Sequence, residues 1–342
     1  MDNATRARPD PSTTATVLNL AAGFGIFQAM YVAAKFCIPD LLASGAKSVD
    51  IVAKQAEVHT QSLYRLLRTL ASAGIFAEIE HAVFQNTPLS DAFRTDTTGS
   101  LRSFLILAGA PECWRAWGEL LYSVKTGKPA FEHVYGVPLF EYLSAHPEPA
   151  RVFDEAMASR SAAEIAAMLA VYDFAYAKRV VDVGGGNGAL LSAILNAFTH
   201  LEGVLFDLPH VVDRARNLDW SGISGRLHFR SGDFFGEIPS GGDAYILKKI
   251  IHDWPDDKAT EILRRCRQAM APQSRLLLIE LVVPPGNEAT FTKFLDLWMM
   301  VWPGGRERTE SEYAELLKSA SLSLTTVVPT RSPISIIEAV PA

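Results

Sequence analysis

The sequence predicts an α/β protein: a doubly wound, mostly parallel sheet preceded by a mainly helical, winged-helix dimerisation domain. Three observations predict it. From residue 179 onward, short apolar runs alternate with helical runs, the order that winds a parallel sheet. The first of these runs ends in an acid and a glycine-rich turn, "DVGGGNG". Ahead of residue 110 the pattern is helical with one β-hairpin. The expected division is a winged-helix domain over residues 1–110, a helical, aromatic-rich connector roofing the pocket over 111–178, and a sheet domain over 179–342.

The leader "MDNATRARPDPSTTATV" is polar and is expected to be frayed, with no apolar core of a secretory signal. "TVLNLAAGFGIFQAMYVAAKFCIPDLLA" reads as a nearly all-apolar helix pair. So much apolar surface near a terminus points to burial by a second subunit. No apolar run is read as long enough to span a bilayer. Ser48 and Thr60 suit the N-caps of two short helices, Gly74 ends the second, and "IFAEIEHAVFQNT" reads as a hairpin. Helix, helix, hairpin is a winged helix. Its reading helix offers only Arg65 and Arg68 as cations, and the chain carries a net charge of -6, so a scaffold or dimerisation role is expected over DNA binding.

In the sheet domain, "KRVVDV", "LEGVLFD", "GRLHFRS", "DAYILKK" and "SRLLLIEL" read as strands, with "ALLSAILNAF", "HVVDRARN" and "PDDKATEILRRCRQAM" as helices between them. In the last, Pro255 suits the first helical position and Asp256 and Asp257 the first turn. "TFTKFLDLWMMVW" and "ESEYAELLKSASL" are further helices, and two runs up to Pro341 close the sheet. Parallel strands bring their C-terminal ends to one edge, where ligands bind in open α/β sheets. On that edge the sequence sets Asp182 with the turn Gly184–Gly188, then Asp207, Asp233, Lys248 with His252, and Glu280.

The glycine turn departs from a dinucleotide fingerprint, because residue 189 is alanine, and a P-loop lysine is absent. Asp207 suits a ribose diol, and Asp233 with Phe234 suits an adenine amine and ring. Together they indicate a ribose-bearing nucleoside without demanding phosphate. Cys37, Cys113 and Cys266 lack metal or disulfide spacing, which points to a reducing, cytoplasmic compartment and no metal.

"DVGGGNGALL", "FDLPHVV", "GDFF", "LKKIIHDW" and "PGGRERTESEY", in that order, resemble the S-adenosylmethionine-dependent O-methyltransferases of small-molecule metabolism, the caffeate-type plant enzymes and their bacterial natural-product relatives. The front half is similar too. The resemblance implies a homodimer using S-adenosylmethionine on a small, hydroxylated, aromatic acceptor, with neither nucleic acid nor membrane as partner. It implies that Gly184, Gly185 and Gly186 face the cofactor, with Asp207 and its neighbour Leu208 at the ribose. Asp233 and Phe234 flank adenine, Lys248 and Ser161 touch the methionine end, and Trp254 lies near the base. His252 is the expected general base, since a phenol with a pKa of about 10 is mostly protonated at neutral pH. Glu280, at the next strand end, suits the imidazole's partner; the resemblance puts Glu307 beside the same ring, and Asp253 is adjacent in sequence. Phe153, Met157, Asp296, Met299 and Met300 are the implied acceptor pocket. Lys249 stands where several plant relatives carry an aromatic residue, which argues against a phenylpropanoid acceptor. Two other readings are a relative doing other chemistry on this scaffold and a winged-helix ligand sensor. The intact histidine and glutamates oppose the first, and the poorly basic reading helix opposes the second.

Overall fold

The apolar N-terminal run forms one continuous helix, Pro11–Lys35, rather than the expected pair, followed by a single turn, Ile38–Leu41. The break falls at Cys37, whose backbone adopts the left-handed region (φ 52°), with Pro39 just beyond it. This computed structural model describes residues 11–342, so residues 1–10 of the expected frayed leader lie outside the described residues, while 11–17 are helical. With mean hydropathy 1.5, Ser12–Lys35 is long and apolar enough to cross a bilayer by length and composition, which corrects the sequence reading. Asn19 and Gln28 interrupt the apolar letters, but their weight is small over the whole helix. Val17, Leu18, Leu20 and Phe24 are all more than half exposed on it. An apolar face left this open on a single chain is the signature of a protein interface.

The chain divides into two compact units. The first runs to Trp114 and takes in Pro147–Arg160; the second comprises Arg115–His146 and Ser161–Ala342. The boundary therefore runs through the expected connector. In the first unit, β1 (Lys47–Ser48), the helices Val49–Gln55 and Thr60–Ser72, and the hairpin of β2 (Phe76–Glu80) and β3 (Val83–Asn86) form the winged helix, with sheet order β1-β3-β2. Leu63, Leu67 and Leu70 recur at helical spacing and bury against Phe76 and Phe84. Ser48 occupies a cap position, but its side chain makes no cap bond; the second helix is preceded by His59, not capped by Thr60.

In the second unit β4 (Arg179–Val183), β5 (Glu202–Asp207), β6 (Leu227–Ser231), β7 (Ala244–Lys248) and β8 (Arg275–Leu281) pair in parallel, and β9 (Leu322–Pro329) and β10 (Ile334–Pro341) add an antiparallel edge. The order β6-β5-β4-β7-β8-β10-β9 reverses direction between β4 and β7. That reversal opens a crevice at the strands' C-terminal ends. The central strands β4, β5, β7 and β8 are buried on both faces, which explains their mostly apolar runs: Val181, Leu247, Leu276 and Leu278 meet Ile262, Leu263 and Tyr313 in one core. Each such side chain contributes ~1.5–3 kcal/mol on burial. This stiff sheet fixes where the polar residues at its edge stand.

Candidate active site

The turn after β4 is shaped by backbone conformation. Gly184, Gly186 and Gly188 all have positive φ (70°, 59° and 74°), which side chains with a Cβ rarely adopt. A Cβ on Gly184 would also lie 2.6 Å from Ile250 Cδ1, whereas one on Gly186 would meet nothing within 4 Å, so the turn is open on that side. Asp207, at the end of β5, accepts from the Gly186 N–H (2.8 Å) and the Leu208 N–H (2.7 Å) through different oxygens. Each oxygen keeps a second lone pair. Asp233 is exposed and accepts from the Phe235 N–H (2.9 Å). The Phe234 ring reaches Gly184 and packs edge-on against Trp254 (6.0 Å).

Beneath the turn lies Asp182, 2% exposed, its Oδ2 without a hydrogen-bond partner. Burial pushes its carboxyl up to about 7, Lys248 opposing and Asp207 reinforcing. Lys248 donates to Ser161 Oγ (3.1 Å) and pairs with Glu164 Oε2 (2.8 Å); Lys249 pairs with the other Glu164 oxygen. Glu164 is buried, yet its carboxyl stays below the usual range because the two ammonium groups outweigh desolvation.

His252 sits in one turn of 3-10 helix, Ile251–Asp253, between β7 and the helix Asp256–Ala269, with Pro255 as the cap residue rather than the first helical one. Its Nδ1 is 2.8 Å from Glu307 Oε1 and 3.9 Å from Glu280 Oε2, and its Nε2 is 3.6 Å from Asp253 Oδ1. Glu280 is fully buried and accepts from the N–H groups of Ile250 (3.1 Å) and Ile251 (2.9 Å), which aims it at the turn. Burial disfavours the imidazolium, but Glu280, Asp253 and Glu307 together outweigh it and raise the imidazole to about 9. Burial likewise pushes Glu280 up to about 7 and Asp253 up to about 6. Ligating atoms of His252, Glu280 and Glu307 lie within 4.8 Å of one another, a set able to hold a cation, but the 2.8 Å Nδ1–Oε1 separation is that of a hydrogen bond.

The structure thus groups Gly184, Gly185, Gly186, Asp207 and Leu208 at one turn, Lys248 with Ser161, and His252 with Glu280, Glu307 and Asp253. Asp296 is half-buried, and its Oδ1 accepts from the Glu307 N–H (2.9 Å), so it holds the glutamate's backbone. Met299 is buried and Met300 half-buried on the same helix, Phe291–Val301. Phe153 and Met157 are half-buried and belong to the first unit. Sequence reasoning missed Glu164, whose i,i+3 spacing from Ser161 on a helix was the available signal. For Asp182 the sequence shows a strand-end position, and the signal of a further role is a carboxylate inside an apolar strand.

Residues 117–323 match the O-methyltransferase domain family, and residues 18–96 match the O-methyltransferase dimerisation domain. The second match takes in most of the open N-terminal helix and marks this part of the chain as a dimerisation domain. The chain is 43% identical over 326 residues to a phenazine O-methyltransferase from Lysobacter antibioticus, covering 95% of each. It is 37% identical to a mitomycin biosynthesis 6-O-methyltransferase from Streptomyces lavendulae, covering 94% of this chain and 93% of that one. Among solved structures, an O-methyltransferase from neocarzinostatin biosynthesis, in complex with S-adenosylmethionine and 2-hydroxy-5-methyl naphthoic acid, superposes with TM-score 0.79 at 34% identity, covering 92% of this chain and 96% of that one. By sequence over nearly its full length and by fold, the chain belongs to the S-adenosylmethionine-dependent O-methyltransferases that carry an N-terminal dimerisation domain.

Proposed function

We propose that this enzyme methylates a phenolic hydroxyl of a small aromatic natural product, with His252 as the general base. The observation that carries the assignment is the 2.8 Å contact between Nδ1 of His252, in the turn after β7, and the buried Glu307. Glu307, as a carboxylate, accepts the Nδ1–H. This fixes the tautomer in which Nε2 carries the lone pair that takes the hydroxyl proton. The same carboxylates stabilise the imidazolium that results. A phenol is an acceptor class that needs such a base, and the named relatives are a phenazine O-methyltransferase and an O-methyltransferase of mitomycin biosynthesis.

S-adenosylmethionine, when bound, supplies an activated methyl group and its own leaving group. The residues present fit it. The open side of the Gly186 turn admits a ligand against the backbone, and Asp207 has lone pairs left for two ribose hydroxyls. Asp182 Oδ2 and the Lys248–Ser161 pair offer a buried acceptor and donors for an amino-acid end. Replacing Asp207 by Ala should weaken cofactor binding by ~10–100-fold, the worth of one or two charge-assisted hydrogen bonds, as read by calorimetry. Within the second unit, Asp296, Met299 and Met300 remain the proposed acceptor contacts. None of the three cysteines is in a disulfide, which suits a reducing compartment.

The test is release of S-adenosylhomocysteine with a panel of phenolic acceptors, followed over pH. The base must be neutral to act, and its free-enzyme pKa is raised to about 9. Therefore kcat/KM should climb from neutral pH and level off only above about 9. A plateau already reached near pH 7, as an ordinary histidine at ~6.5 would give, would remove the carboxylates from their role.

A further inference from the structure

We infer that Arg308 is a positioning residue for the base: its buried guanidinium clamps the turn that carries His252 and ties it to the strand that carries Glu280. This rests on the reading of His252 as the base. Arg308 is 1% exposed, among the largest fully buried side chains. A buried cation costs several kcal/mol unless its donors are met. Here they are met chiefly by one short stretch of chain, with a longer reach from Nη1 to the Arg306 carbonyl (3.5 Å). Nη1 donates to the Ile251 carbonyl (3.1 Å), just before His252, and Nη2 donates to the Trp254 carbonyl (2.9 Å), just after Asp253. Nε (3.0 Å) and Nη2 (2.7 Å) both reach Asp256 Oδ1, at the start of the following helix. The guanidinium therefore brackets the whole His252 turn. The backbone of Arg308 is fixed in its own right: its carbonyl accepts from the Val283 N–H (2.9 Å), and Val282 bridges to it beside the end of β8.

A planar fork can meet two carbonyls and a carboxylate at once; an ammonium on a flexible stem cannot. Arg308→Lys keeps the charge and loses that geometry. The Glu307–His252 contact then depends on a turn free to drift. Two consequences separate positioning from mere stability. Turnover falls while cofactor binding is largely held, because the glycine turn and Asp207 lie on other strand ends and Arg308 meets the carbonyl of Trp254. And the base titrates lower, because the ring leaves the carboxylates that raise it.

The experiment compares wild type, Arg308→Lys and His252→Ala in kcat, pH profile and calorimetric titration with S-adenosylmethionine. The expected result for Arg308→Lys is a fall in kcat of ~10²-fold, the effect of about 1 Å of misplacement, with cofactor affinity held and the acid limb of kcat/KM moved to lower pH. Unchanged kcat overturns the inference, and so does reduced kcat with an unmoved pH profile. If His252→Ala turns over normally, the base reading itself fails; if His252→Ala is inactive and Arg308→Lys is normal, only the inference about Arg308 fails. Should Arg308→Lys not fold, Asp256→Asn, altering the exposed end of the contact, decides: a fall of ~3–10-fold in kcat with the same pH displacement supports the clamp, and wild-type behaviour overturns it.

Discussion

Replacing His252 by Ala should lower kcat by ~10³-fold, within the range ascribed to a positioned general base, and leave the calorimetric signal of S-adenosylmethionine binding intact. The two halves of this expectation rest on separate parts of the edge. The proposed cofactor contacts lie chiefly after β4, β5 and β6 and at Lys248, whereas the imidazole meets Glu280, Glu307 and Asp253. The substitution also leaves Glu280 and Glu307 buried without the cation that faced them. Glu280 then holds its proton more readily, since burial already raises it to about 7. Stability at neutral pH should therefore change little, and an inactive protein with a near-normal melting temperature is the expected finding. Retained turnover in the S-adenosylhomocysteine assay would dismiss the histidine as base.

Much of this was legible because it depends on period and order. Alternating strand and helix patterns fix a doubly wound sheet, and a parallel sheet sends every strand end to one edge; Asp207, Lys248 and Glu280 follow from that alone. Glu307 was legible only through the motif "PGGRERTESEY", since it follows no strand and reaches the site from a loop. What was not legible was three-dimensional capping. Nothing in the letters shows that Asp296 spends its carboxylate on the Glu307 N–H, or that Glu164 gathers two lysines from 84 and 85 residues away (248 − 164 and 249 − 164). Side chains that satisfy backbone groups across loops leave no periodic trace. The N-terminal helix shows the converse limit. Its length and apolarity are plain in the sequence, but these alone do not separate a bilayer from a partner subunit; the match to a dimerisation domain does.

Gly305→Ala should be the most disruptive single-methyl change in the loop, lowering stability by ~1–3 kcal/mol as overpacking does and kcat by ~10²-fold through displacement of the base. The two glycines of "PGGRER" have different reasons to be glycine. Gly304 has φ +86°, a conformational requirement. Gly305 has no such angle; it is there because a Cβ would lie 1.9 Å from the His252 carbonyl oxygen and 2.8 Å from Asp253 Cα. Restoring even the 3.4 Å of ordinary contact means moving two backbones apart by about 1.5 Å (3.4 − 1.9). The bond from the Arg306 N–H to that same carbonyl, 2.8 Å, cannot survive such a shift, and Glu307 is the next residue along. Loop and turn are thus packed backbone to backbone, and the 2.8 Å imidazole–carboxylate contact is a consequence of that packing. Gly286→Ala is the control, since there a Cβ meets nothing within 4 Å and only the positive φ is strained. Melting curves and single-turnover rates of both variants decide the matter: equal, small effects would mean that the loop yields easily and that the base is not held by the close approach at Gly305.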